Sequence, residues 1–96
     1  MQYDILIKEE ARADALAAWL YYEGKQQGLG ERFLEMLETC FKKIGDNPQY
    51  YSYLRNDKEK TLRRKQISGF PYNIVYEVID EKVIVYMIHN SYRSLL

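Results

Sequence analysis

The chain is 96 residues long, 47% hydrophobic and 15% aromatic, and its 14 basic and 14 acidic side chains cancel to a formal net charge of zero. That length suits a single domain spanning 1–96, and the neutral balance argues against a whole-molecule electrostatic grip on nucleic acid. One cysteine excludes an internal disulfide, no run of about 18 apolar residues could cross a membrane, and the opening MQYDILIKEE carries acids where a signal peptide carries bases, so a cytoplasmic protein is expected.

Tyr3, Ile5 and Ile7 alternate with Gln2, Asp4, Leu6 and Lys8, the pattern of a half-buried first strand. Glu9 to about Lys25 is Ala-rich, with no Gly or Pro before Gly24, and carries Leu16, Trp19 and Leu20 at helical spacing. Glu9 and Glu10 sit at the positive end of the expected helix dipole, and Ala11, Ala15 and Ala18 permit close approach by a second helix. That second helix opens at GLGERF, with Gly30 as N-cap. It carries Phe33, Leu37, Cys40, Phe41 and Ile44 on one stripe and ends at Gly45, Asp46, Asn47 and Pro48. Cys40, on that stripe, reads as a buried inert thiol.

Gln49 to Asn56 holds Tyr50, Tyr51, Tyr53 and Leu54 without clean periodicity, as in an irregular connector anchored by rings. Thr61 to Ser68 is a second strand, polar on both faces and therefore at a sheet edge. Tyr72 to Ile79 and Val83 to Ile88 are apolar on both alternating faces and joined by Asp80, Glu81 and Lys82, which predicts a hairpin of buried strands with a kink or bulge near Pro71 where it begins. The charge is unevenly spread: Met1 to Cys40 has eight acids and four bases, Phe41 to Leu96 ten bases and six acids, with much of the excess in DKEKTLRRK from Asp57 to Lys65. The fold class expected is α+β, in the order β-α-α-β-β-β: a two-helix hairpin packed on one face of a four-stranded, mainly antiparallel sheet. Trp19, Leu20, Phe33, Leu37 and Phe41 are expected between the layers, with Ile74, Tyr76, Val85 and Met87 facing them or sharing their core.

Several features then combine: GLGERF opening the second helix, the Asn47, Pro48 and Tyr50 exit, the FPY element (Phe70, Pro71, Tyr72), the IVYEV strand, and a terminal IH followed by a basic residue. In order and spacing over nearly the whole chain they resemble the RelE/ParE family of toxins from type II toxin-antitoxin systems. The resemblance implies a small bacterial growth inhibitor neutralised by a cognate antitoxin whose C-terminal region folds on binding. It also implies one of two targets, DNA gyrase inhibited by binding or mRNA cut on the ribosome. A degenerate, non-toxic binding domain is the third reading. No metal, cofactor or small-molecule substrate is implied.

Cutting RNA through its 2′-hydroxyl needs a base, an acid and cations around the phosphate. The candidates are His89, Tyr92, Arg93 and Arg64; as cations for contact with a target or nucleic acid, Arg63, Arg64, Lys65 and Arg93 stand out. A lone histidine at a strand end is also the usual place of a hydrogen-bonded structural residue. Asn73 stands where the ribosome-dependent nucleases of the family carry arginine, Gly69 where many ParE-like relatives carry a basic residue, and no proline follows His89, Tyr92 and Arg93. The first departure favours the ParE-like branch.

Overall fold

The computed structural model describes residues 2–55 and 57–93; Asn56, the last residue of the expected connector, lies outside them. The short alternating segment forms β1 (Asp4–Ile7), and α1 (Glu9–Lys25) follows with the two expected acids in its first turn. The second helix, α2 (Leu29–Asp46), starts two residues earlier than an N-cap at Gly30 implies, because Gly28 takes the left-handed backbone (φ 90°) at the turn. Gly30 is therefore inside the helix and not its cap. A Cβ there would lie 2.9 Å from the Trp19 carbonyl oxygen, so its absence sets the distance between the helices. The Glu23 carboxylate reaches across from α1 and accepts the free amides of Gly28 (3.0 Å) and Gly30 (2.9 Å), doing from outside the work of an N-cap side chain.

After a 3-10 turn at Pro48–Tyr50 come β2 (Leu62–Gln66), β3 (Tyr72–Ile79) and β4 (Lys82–Asn90). The sheet order is β1-β4-β3-β2, with β1 parallel to β4 and the other pairings antiparallel. The expected α+β architecture is thus present, and the first strand lies beside the last. The outer edge of β2 is not open, however: the connector runs along it, with the Leu54 amide donating to the Leu62 carbonyl (2.8 Å) and the Arg64 amide to the Ser52 carbonyl (3.0 Å). Beyond the end of β1, the Asp14 carboxylate accepts the Ile88 amide at 3.0 Å and occupies part of the exposed edge of β4.

The core lies between the helices and one face of the sheet. Phe33, Leu37, Cys40 and Ile44 from α2 meet Ile67, Phe70, Ile74, Tyr76, Val83, Val85 and Ile88, and α1 contributes the small side chains of Ala11 and Ala18. The buried Tyr76 hydroxyl donates to the Pro48 carbonyl (2.6 Å), tying the connector to the sheet, and burial pushes its pKa well above the ordinary phenol value. Three core expectations need correction. Leu20 is 56% exposed, because α1 apposes the sheet through Ala11 and Ala18 and turns Leu16, Leu20 and Tyr21 outward. Trp19 and Phe41 are only partly buried, at the groove between the helices. Met87 leaves the core because a bulge lies inside the hairpin and not at its start: Val75 pairs with Met87 and Tyr76 with Val85, so Tyr86 is an extra residue that reverses the alternation of β4. The chain does turn sharply before β3, where Gly69 has φ 83°.

No described helix is long and apolar enough to cross a membrane.

Candidate functional site

Strand alternation divides the basic segment between the two faces of the sheet. Arg63 pairs with the core-facing Tyr76 and points to the helix side. Its guanidinium donates to the carbonyls of Gln49 (3.1 Å) and Tyr51 (2.7 Å) and to the Tyr53 hydroxyl (2.8 Å), and its centre lies 4.0 Å from the Tyr53 ring centroid. Those contacts hold the connector against β2. Lys65, on the same side, donates to the Gln66 carbonyl (3.1 Å) and lies over the Tyr51 ring.

Arg64 points the other way. It pairs with Val75, which pairs with Met87; two residues along, Gln66, Asn73 and His89 form the next row on that face. Arg64 and His89 consequently line one cleft of about 210 Å³ on the face away from the helices, together with Leu54, Arg55, Asn73, Val75 and Ser91. The Asn73 amide group donates to the Ser91 hydroxyl (3.1 Å), while Oδ1 of Asn73 and Nε2 of His89 are buried without a hydrogen-bond partner among the described residues.

Tyr92 and Arg93 stand apart from Arg64. Both follow the end of β4 in a turn organised by Asn90, whose side-chain oxygen accepts the Tyr92 amide (2.9 Å) and whose carbonyl accepts the Arg93 amide (3.0 Å). Tyr92 is 86% exposed. These two residues border a larger hollow of about 800 Å³ beside α1, where Glu10, Asp14, Tyr21 and Tyr22 also contribute, and His89 lies between the two recesses. The six sequence candidates are thus linked in part: His89 shares one recess with Arg64 and the other with Tyr92 and Arg93, Arg64 and Lys65 both border a third recess beside Tyr50 and Tyr51, and Arg63 stands apart on the connector. Arg55, Asn73 and Ser91 join Arg64 and His89, and composition alone did not mark them as site residues. Nothing in the sequence marked Asn73: a regular hairpin would set it opposite Ile88, and the bulge at Tyr86 brings it opposite His89. The described residues bring together no group of three His, Cys, Asp or Glu side chains suited to a metal ion.

A family model for the ParE toxin of the type II toxin-antitoxin system, parDE, matches residues 5–91. The chain belongs to that toxin family. A chain of the chromosomal ParDE system from P. aeruginosa superposes with a TM-score of 0.78 at 12% identity, over 93% of this chain and 96% of that one. The isolated E. coli RelE toxin gives 0.65 at 24% identity, covering 97% and 88%, and the RelBE2 toxin-antitoxin complex of Mycobacterium tuberculosis gives 0.67 at 16%, covering 94% and 99%. At these identities the structures establish a fold common to the ParE and RelE branches. No curated protein matches significantly in sequence. For a ParE-family toxin the glycine at position 69 has a local reason: φ there is 83°, a conformation that a side chain makes costly.

Proposed function

We propose that this ParE-family toxin arrests growth by binding DNA gyrase and is neutralised by a cognate antitoxin. The observation that carries the reading is the dispersal of the cations. RNA cleavage needs base, acid and phosphate-binding cations within reach of one scissile bond, whereas here Arg63 and Lys65 contact the connector from one face, Arg64 lies on the other, and Tyr92, which borders the same hollow as His89 and Arg93, is turned out into solvent. Such an arrangement suits recognition better than proton transfer. The match to the ParE family model supports the same choice.

The antitoxin has a suitable landing place on the opposite side. Leu16, Leu34, Trp19 and Phe41 border an apolar groove of about 540 Å³ between the helices, and Leu16 and Leu20 are more than half exposed. An antitoxin segment that orders on binding would place apolar anchors there, and those anchors supply most of the affinity. In a gyrase supercoiling assay, purified protein inhibits the enzyme and the co-expressed product of the neighbouring gene relieves the inhibition. Full supercoiling at protein levels that stop growth would remove gyrase as the target.

A further inference from the structure

The cleft around Arg64 has a chemistry that narrows what it can hold. The Arg64 guanidinium makes no hydrogen bond or ion pair with the described residues, in contrast to Arg63, which donates three hydrogen bonds. Glu77, an acid on the same face of β3, makes no ion pair with it and is turned to the Tyr86 hydroxyl, which it accepts at 2.6 Å. Arg55 adds a second cation at the rim, and His89 Nε2 and Asn73 Oδ1 are two buried polar atoms with unmet hydrogen-bonding capacity. Turning the Asn73 amide by 180° presents its NH2 in place of Oδ1, while the Ser91 hydroxyl, able to donate as well as accept, keeps its bond. With the His89 imidazole in its Nε2–H tautomer, Arg55, Arg64, Asn73 and His89 all present N–H donors to the cleft, a set that suits an anion.

We propose that this cleft receives the carboxylate of an aspartate or glutamate side chain presented by the protein target; the proposal rests on the reading of the chain as a toxin that acts by binding. Three features favour a side-chain carboxylate over a nucleic-acid phosphate. The space, about 210 Å³, fits one side chain and is too small for a nucleotide. Leu54 and Val75 give the cleft apolar walls that suit an aliphatic stem. Tracking a phosphate backbone requires several cations along a path, and Arg63 and Lys65, the neighbours that would extend one, face the other side of the sheet. Arg64 supplies the planar fork that pairs with a carboxylate through two parallel hydrogen bonds.

The test is an NMR titration of the intact isotope-labelled protein with N-acetylglutamate, with N-acetylglutamine and methyl phosphate in parallel, following the side chains of Asn73 and His89 and the amides of Val75 and Ser91. Saturable shifts with N-acetylglutamate, in the roughly millimolar range expected of so small a ligand, that are absent with N-acetylglutamine and at least about tenfold weaker in Arg64→Ala uphold the site. A wild-type spectrum that does not move, equal shifts with the neutral amide, or tighter binding of methyl phosphate each overturns it, the last in favour of a phosphate site. The wild-type titration stands even if the variant fails to fold. Supercoiling measured on the same preparation separates the two claims: carboxylate binding with active gyrase overturns the target and upholds the cleft, whereas inhibited gyrase without carboxylate binding overturns the cleft and upholds the target.

Discussion

Asp57 shows how one side chain can hold a loop whose sequence suggests only a solvated charge run. Its carboxylate accepts the amides of Glu59 (3.2 Å), Thr61 (2.7 Å) and Leu62 (2.6 Å) and the Thr61 hydroxyl (3.1 Å), closing the loop that feeds β2. The Leu62 amide above all holds the pKa below its ordinary value of 3.8. Because the folded value is depressed, the loop keeps its full stabilisation above the ordinary value and loses it as the pH falls through the lower one. Hydrogen-exchange protection at Thr61 and Leu62 should therefore fall on acidification to about pH 2, and Asp57→Asn should remove that dependence. Protection of the wild type that stays constant over the same range would show that the carboxylate is incidental. Little of this was legible in DKEKTLRRK, since an Asx turn is a matter of backbone geometry as much as of residue type. By contrast, the separation of Arg63 and Lys65 from Arg64 follows from strand alternation alone. What the sequence could not show was where the Arg63 guanidinium ends, against the Gln49 and Tyr51 carbonyls.

Among the elements, α2 was the most legible and α1 the least. The stripe through Phe33, Leu37, Cys40 and Ile44 is buried as its spacing indicates, because a helix with one clear apolar face has one way to cover a sheet. In the first helix the spacing of Leu16, Trp19 and Leu20 indicated the wrong face, because the close approach to the sheet is made by Ala11 and Ala18. Phe33 is wholly buried and packs within 5.2–5.6 Å, centroid to centroid, of Phe70, Tyr72 and Tyr22, whereas Phe41 is half-buried at the groove. Chemical denaturation should find a loss of about 3–5 kcal/mol for Phe33→Ala and about 1–2 kcal/mol for Phe41→Ala. Equal losses would contradict this division of the core. The bulge at Tyr86 had no sequence signal, since Tyr-Met-Ile reads equally well in either phase; it removes Met87 from the core and also fixes which face His89 occupies.

At the scale of the molecule, the β-α-α-β-β-β order and the family membership were legible from motifs spread along the whole chain, and the sheet order follows once β1 is placed beside β4. The shared fold leaves the mode of action to be argued from side chains, because ParDE and RelE structures both superpose on it. The proposed mode of action is arrest by binding and not by cutting RNA. Its most direct test is to map the 5′ ends of translated messages in a bacterial host while the protein is induced without its antitoxin. If binding is the cause, growth stops with messages intact. Growth arrest accompanied by new ends within coding sequences, lost in His89→Ala or Tyr92→Phe, would contradict it and assign the chain to the nuclease branch.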